Sequence, residues 1–212
     1  MDLGHWLFYR GWGDLSMQST LMGFFPEAAT DAASVAMREA FEGAAGAMFS
    51  TIRAGFTDDV AVMKAYKLPV DKPSVVLYKS YDEGKLVYDG AASAPAIKTW
   101  AETWNHPLAL VLDRTVLRKW QNSVDTLVHL FVDERGTAEP RSRLAFLEQL
   151  RTVGRALEDD GIVARGELLM TAVNGQQHSS WLRDFGLSGV ELPCLALVDT
   201  STHRFYAMRT PV

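Results

Sequence analysis

The sequence predicts an α/β protein of two tandem domains, each a mixed β-sheet flanked by helices. Three observations lead to this prediction. Strand-like apolar runs alternate with amphipathic helix patterns along the chain. The order of these elements in the first half recurs in the second half. Each half also places a proline between a short helix and a hairpin: Pro73 follows Leu68 by five residues, and Pro193 follows Leu187 by six.

The first half is predicted to alternate strands and helices before a hairpin. The strands are Thr20–Phe25 and Ala47–Arg53, the hairpin joins Ser74–Tyr81 to Lys85–Tyr88, and the helices start near Ala33, Asp58 and Ala94. In the first helix, apolar residues recur at helical spacing. Thr30 or Asp31 would cap its start, and Gly43 or Gly46 would end it. Strand–helix–strand segments of this length favour parallel pairing, and the hairpin adds antiparallel strands.

The second half repeats this order. Its predicted strands are Leu108–Leu112, Thr126–Val132, Glu167–Val173, Cys194–Asp199 and Arg204–Met208. Its predicted helices are Thr115–Asn122, a long helix after Pro140, and Ser179–Phe185. The domain boundary is therefore expected near Asn105–Pro107, which gives domains of residues 1–106 and 107–212.

Composition and motifs exclude several functions. The net charge of −5 without a basic cluster argues against a nucleic-acid partner. No apolar run reaches the ~20 residues that a membrane-spanning helix needs. The single cysteine, Cys194, cannot form a CxxC dithiol, and a small buried apolar residue is its expected role. The five histidines have no metal-ligand spacing, so no metal site is predicted, and nucleotide-binding or hydrolase motifs are lacking.

Two segments carry a resemblance to a known family. The runs "TLMGFF" and "AYKLPVDKPSVVLYKSYDEGK" resemble the first non-catalytic thioredoxin-like domain of protein disulfide isomerases. The runs "DTLVHLFVD" and "LRDFGLSGVELPCLALVD" are similar to the second such domain. These are the redox-inactive b and b′ domains of the family. The resemblance implies a cis peptide bond before Pro193, with Pro73 as a second candidate.

The resemblance also implies a site. In that family the second non-catalytic domain binds unfolded polypeptide in an apolar pocket between its first and third helices. The matching residues here are Leu117, Trp120, Val124, Leu130, Trp181, Leu182 and Phe185. Aromatic side chains offer large contact area at small cost in rotamer entropy. An ordinary core beneath the helices is the alternative for each of these residues, with Leu130 and Leu182 the first candidates for it.

The expected function is non-catalytic binding of exposed apolar segments of unfolded polypeptides, with no cofactor, in the endoplasmic reticulum lumen. A scaffold that holds another chaperone is the alternative. Any isomerase activity would lie in domains outside this chain. The missing CGHC motif, and the absence of a helix after the last hairpin, fit either an excised middle fragment of an isomerase or a redox-inactive family member.

Overall fold

The structure is a computed structural model that describes residues 19–112, 116, 120, 123–134, 141–188 and 192–208. The chain divides into two compact units at Asn105–His106. Each unit is an α/β domain with one mixed sheet, which confirms the predicted fold class. Among the described residues, no helix has the length and apolar character to cross a membrane.

The first unit has a four-stranded sheet in the order β2-β1-β3-β4. Strand β1 pairs with β2 in parallel and with β3 antiparallel, and β3 forms the hairpin with β4. Its elements in chain order are β1 (Ser19–Phe24), α1 (Ala32–Ala47), β2 (Arg53–Thr57), α2 (Val60–Ala65), β3 (Ser74–Lys79), β4 (Lys85–Val87) and α3 (Ala94–Trp104).

Alternation along the central strands divides the core of the first unit into two layers. On one face, Leu21 of β1 and Leu77 of β3 pack with α1 and α3, including the fully buried Ile97. On the other face, Phe24 and Val76 pack with the segment that contains α2. Helices therefore cover both faces of this sheet.

Helix α1 continues beyond its predicted end, and this shifts the next strand. Gly43 and Gly46 lie inside the helix, which ends at Ala47. A side chain at Gly43 would lie 3.1 Å from the Cβ of Ala94 in α3. Gly43 therefore provides close helix packing and does not stop the helix. The strand predicted from Ala47 to Arg53 is wrong for this reason, and β2 begins only at Arg53.

A buried polar group joins the end of β3 to the end of α3. The ammonium group of Lys79 donates to the carboxylate of Glu83 at 2.6 Å and to the carbonyl of Trp104 at 3.1 Å. The hydroxyl of Tyr81 donates to the carbonyl of Asn105. A buried charge is tolerated only when it is paired in this way. These bonds fix the last turn of α3 beside the hairpin.

The second unit has a five-stranded sheet in the order β5-β7-β6-β8-β9. Strand β7 is parallel to β5 and β6, whereas β8 is antiparallel to β6 and β9. Its elements are β5 (Ala109–Val111), β6 (Thr126–Val132), α4 (Arg141–Asp159), β7 (Leu168–Asn174), α5 (Ser179–Asp184), β8 (Cys194–Asp199) and β9 (Arg204–Met208). The helix predicted over Thr115–Asn122 lies largely outside the described residues.

Helix α4 covers one face of the second sheet. Val128, Leu130 and Val132 of β6 project toward it and pack with Leu150. The intervening residues of β6, His129 and Phe131, therefore project to the opposite face, where α5 lies.

The two candidate prolines differ in isomer. The Leu192–Pro193 peptide bond is cis, as the resemblance implies. It is the only cis bond among the described residues, so the expectation of a cis bond at Pro73 is wrong. Several residues separate α2 from β3, and the chain reaches β3 with the trans isomer that X–Pro bonds ordinarily favour.

We expect Asp31→Ala to lower the free energy of unfolding by about 1 kcal/mol, because Asp31 is the N-cap of α1. Its carboxylate accepts hydrogen bonds from the backbone N–H groups of Ala33 and Ser34 at 3.0 and 3.1 Å. Urea denaturation measures the change. Asp58→Ala is the matched control, since it removes an exposed carboxylate that does not cap a helix. Equal losses in the two variants would contradict the assignment.

Candidate functional site

A group of aromatic rings lies on the face of the second sheet that carries α5. We name it the α5 aromatic cluster. Its members, joined by ring–ring contacts, are His129, Phe131, His178, Trp181, Phe185 and Phe205.

The pleat of the strands determines which residues enter the cluster. His129 and Phe131 alternate with the residues of β6 that face α4, so both lie under α5. Phe205 of β9 pairs with Val198 of β8, and its ring lies 5.3 Å from the ring of Phe185. The hairpin therefore brings an aromatic ring from the sheet edge to the α5 side.

Helix α5 supplies two rings one helical turn apart. Trp181 and Phe185 share one helix face because they are four residues apart. The ring of Trp181 lies 5.4 Å from that of His129 and 4.8 Å from that of His178. The ring of Phe185 stacks on His129 at 6.2 Å, with 28° between the ring planes. Both side chains remain half-buried, so each ring presents one side to the sheet and part of its surface to solvent.

The floor of the cluster is uncharged. His129 is 3% exposed, and its Nδ1 lies 2.6 Å from the hydroxyl oxygen of Thr171. That hydroxyl donates to the carbonyl of Val128 at 3.4 Å, so we assign the Nδ1–H of His129 as the donor to Thr171. The pKa of His129 is lowered to about 4. Burial is the larger cause, and the nearby His178 is the smaller one. His129 is therefore neutral at pH 7.

A polar group lies at the carboxyl ends of β6 and β7. The carboxylate of the buried Glu134 is 2.9 Å from Nε of Arg143 and accepts a 2.9 Å hydrogen bond from the side chain of Asn174. Burial, and then the charge of Arg143, lower the pKa of His178. Among the described residues, no group of three or more His, Cys, Asp and Glu side chains has the arrangement of a metal site. Glu134 and Arg143 form an ion pair at this end of the sheet, and Asn174 is hydrogen-bonded to it.

The structure separates the residues that the sequence predicted as one site. Trp181 and Phe185 belong to the α5 aromatic cluster, and Leu182 lies half-buried on the same helix. Leu130 faces α4 and belongs to the core, which corrects its assignment to the pocket. Its parity along β6 is opposite to that of His129 and Phe131.

The other predicted residues lie elsewhere or outside the described part. Trp120 is buried, with its ring 5.2 Å from that of His106. Val124 is buried just before β6, where its carbonyl accepts a hydrogen bond from the hydroxyl of Thr200. Leu117 lies outside the described residues. The ring contacts therefore support Trp181 and Phe185 most directly.

Sequence reasoning missed the floor and one side of the cluster. His129, Phe131 and Phe205 were not predicted as site residues. The available signal was strand parity: once Val128 and Leu130 are assigned to the core under the long helix, His129 and Phe131 must face the other way. Phe205 could have been found only with the β8–β9 register, which the sequence does not fix.

The cysteine is a core residue. Cys194 is fully buried at the start of β8, and burial raises the pKa of its thiol. Nucleophilic and redox chemistry require the thiolate, so this environment disfavours both.

The first unit contains a shallow cavity of about 350 Å³ at the N-terminal end of α1. Its lining includes Phe25, Pro73, Arg38 and three glutamates. Arg38 lies over the rings of Phe25 and Phe56 and pairs with Glu42 at 3.2 Å. Several charged side chains thus line this cavity, and the α5 aromatic cluster is the better candidate for binding an apolar ligand.

Comparisons with known proteins identify related sequences and folds. A family model described as a thioredoxin-like domain matches residues 30–211. The protein disulfide-isomerase of Aspergillus niger is 24% identical over 150 residues, which cover 71% of this chain and 26% of that protein. The protein disulfide-isomerase of Humicola insolens is 24% identical over 174 residues, or 82% of this chain and 32% of that protein. The chain thus spans about a quarter to a third of the length of these relatives.

Solved structures share the fold. The crystal structure of the bb fragment of ERp72 aligns with 91% of this chain and 81% of that chain, with a TM-score of 0.62 and 16% identity. The zinc-bound form of human ERp44 aligns with 91% of this chain and 50% of that chain, with a TM-score of 0.52 and 16% identity.

Stability should decline between pH 6.5 and 4 because His129 titrates at a lower pKa in the folded state than in the unfolded chain. The unfolded chain, with a His pKa of about 6.5, binds this proton more readily in that range. The contribution of neutral His129 to the free energy of unfolding is fully present above pH 6.5. It decreases as the pH falls and is lost once the pH has fallen through the folded-state pKa of about 4. Between pH 7 and 4.5 we expect the free energy of unfolding of the His129→Leu variant to fall by about 2–3 kcal/mol less than that of the original chain.

Urea denaturation at both pH values measures this difference. His203→Leu is the control, since His203 is exposed on the β8–β9 turn. Equal losses of stability in the His129 variant and the original chain over this range would contradict the assignment of the decline to His129.

Proposed function

The chain belongs to the thioredoxin-like domain family, and we propose that it acts there as a non-catalytic polypeptide-binding module. Its second unit binds exposed apolar segments of unfolded polypeptides at the α5 aromatic cluster. The similarity to protein disulfide-isomerases supports this proposal and, with it, the endoplasmic reticulum lumen as the compartment.

One observation carries the proposal: the cluster combines a rigid, buried floor with aromatic rings that remain accessible. His129 and Phe131 are 3% and 0% exposed, whereas Phe205 is 46% exposed. The half-buried rings of Trp181 and Phe185 lie between them. An apolar segment placed there would bury aromatic surface that folding has left in contact with water.

The chemistry of the cluster suits a ligand of variable sequence. Apolar burial contributes roughly 25 cal/mol per Å² and has no directional requirement. The neutral floor does not require a ligand of opposite charge. One ring nitrogen of His129 is already hydrogen-bonded within the fold. Affinity would therefore depend on the apolar area of the segment and little on its sequence.

A redox role does not fit this chain. The sequence contains one cysteine, and a cycle between dithiol and disulfide needs two. The buried position of Cys194 also opposes its use as a single nucleophile. Catalysis in a larger assembly would have to come from other cysteines.

We expect an unfolded peptide with two or three apolar side chains to bind with a dissociation constant of roughly micromolar to millimolar. Trp181→Ala should weaken binding at least about fivefold, because aromatic anchors dominate such contacts. Phe205→Ala should weaken it in the same direction. Fluorescence anisotropy of a labelled peptide measures the affinities.

Tyr206→Ala is the matched control for Phe205→Ala. It truncates a neighbouring exposed ring that lies on the opposite face of the same strand. The proposal fails if the Trp181 and Phe205 variants bind as well as the original chain while melting at unchanged temperature. If Trp181→Ala instead costs ~3–5 kcal/mol of stability and Phe205→Ala leaves affinity unchanged, the cluster is ordinary core.

Cys194→Ser should leave peptide affinity unchanged, and neither the original chain nor this variant should reduce insulin disulfides. The physical reason is that the thiol is buried and has no second cysteine in the sequence. A turbidity assay of insulin reduction checks this outcome. Insulin reduction by the original chain that disappears in the variant would contradict the non-catalytic assignment.

A further inference from the structure

The floor of the α5 aromatic cluster carries one ring nitrogen that the fold leaves without a hydrogen bond. His129 lies on the central strand β6 and is 3% exposed. Its Nδ1 is 2.6 Å from the hydroxyl oxygen of Thr171 on β7. Its other ring nitrogen, Nε2, has no hydrogen-bond partner among the residues that the structure describes. Such an unpaired atom on an almost wholly buried side chain is uncommon in folded proteins.

Nε2 of His129 reaches the surface of the cluster. It is not one of the side-chain atoms in the described part of the chain that are both buried and unpaired, so it keeps some contact with solvent. Nδ1 is bonded to the ring carbon nearest the strand, whereas Nε2 lies at the far end of the ring. The side chain projects to the α5 face, and its far end is therefore directed toward Trp181 and Phe185.

The internal hydrogen bond determines what Nε2 can do. The hydroxyl of Thr171 donates to the carbonyl of Val128 at 3.4 Å, and so it accepts from the Nδ1–H of His129. A neutral imidazole has only one N–H group, which leaves a lone pair on Nε2. Burial keeps the pKa of His129 low, so the ring is neutral at pH 7. The cluster thus presents a hydrogen-bond acceptor at this point.

The surroundings of Nε2 limit which donors suit it. The ring of Phe185 stacks on His129 at 6.2 Å, and that of Trp181 lies 5.4 Å away. A group that reaches Nε2 lies among these rings, where a further aromatic ring gains edge or stacking contacts. An ammonium group would lose its hydration there, and a short hydroxyl side chain has little surface to contact the rings. A neutral donor on an aromatic ring fits best.

We propose that the α5 aromatic cluster selects aromatic side chains that carry a hydrogen-bond donor, namely tyrosine and tryptophan, and that Nε2 of His129 accepts this bond. This selectivity rests on the proposed polypeptide-binding function and names the side chains that the same site prefers. Apolar area still supplies most of the affinity of a segment. The acceptor decides between side chains of similar area.

The order of preference between tyrosine and phenylalanine distinguishes this site from a purely apolar one. A bound phenylalanine would displace water from Nε2 and leave the acceptor unpaired, which is costly, whereas a tyrosine hydroxyl would pair with it. A purely apolar site would give the opposite order, because a tyrosine hydroxyl loses its own hydrogen bonds to water there. The sign of the difference therefore reports whether Nε2 takes part.

The test uses the full chain and labelled unfolded peptides that differ at one aromatic residue. One pair compares tyrosine with phenylalanine. The other compares tryptophan with naphthylalanine, which keeps two fused rings but has no N–H group. Fluorescence anisotropy should show that the donor-bearing peptide of each pair binds about threefold to tenfold more tightly, the range expected for one net hydrogen bond.

Variants of the chain assign the preference to His129. His129→Phe keeps a ring and removes the acceptor, so the two peptides of a pair should bind within about twofold of each other or in the reverse order. Phe205→Ala is the matched control. It removes an exposed ring of the same cluster and should weaken both peptides of a pair by the same factor. His129→Leu replaces His129→Phe if the latter lowers the melting temperature.

Nitrogen NMR of His129 supplies a readout that a packing role would not change. Nε2 should give the signal of an unprotonated nitrogen in the free chain, and this signal should shift with the tyrosine peptide but not with the phenylalanine peptide. A proton on Nε2, tighter binding of phenylalanine, or an unchanged tyrosine preference in His129→Phe would overturn the selectivity and leave the proposed function standing. Absence of binding of all four peptides at about 1 mM would overturn both.

Discussion

The alternation of side chains along β6 and the β8–β9 hairpin is the constraint on which the second unit depends. Each residue of a strand projects to the face opposite its neighbours. On β6 this sends Val128 and Leu130 to α4 and His129 and Phe131 to α5. A shift of one residue in the pairing would exchange the two sets. The core and the aromatic cluster therefore form together, from one register.

His129 shows how a polar residue is accommodated in such a strand. Its Nδ1 is hydrogen-bonded to Thr171 on the neighbouring parallel strand, and its ring stacks on Phe185 and makes a tilted contact with Trp181. A leucine there would give similar burial, but it would not link β6 to β7 through side chains. The buried hydrogen bond also holds the ring in one orientation, so Trp181 and Phe185 pack on a fixed surface. In the proposed binding surface, the buried rings from β6 are consequently held more firmly than the half-buried rings from α5.

Much of the fold could be predicted from sequence, because its signals are local. The start of α3 and both bounds of β6 match the prediction, since each element has a clear period. The start of β2 was wrong because Gly43 was interpreted as a helix end when its role is close packing against α3. Leu130 was assigned to the site because the order of the elements and the family resemblance do not show to which face of β6 a side chain projects. Phe205 depends on the pairing of β8 with β9, a tertiary feature. The sequence therefore predicts which elements exist better than it predicts which side chains meet.

The two units differ in how much of the sheet the described helices cover. In the first unit, α1 and α3 cover one face of the sheet, and the Lys79 bonds hold the end of α3 beside the hairpin. In the second unit, α4 covers the β5, β7 and β6 part of the corresponding face, while Tyr206 and Met208 extend beyond it. The opposite face carries accessible aromatic rings of its own. The β8–β9 hairpin therefore contributes Phe205 to the α5 aromatic cluster, and the register of this hairpin determines which side chain of β9 takes that place.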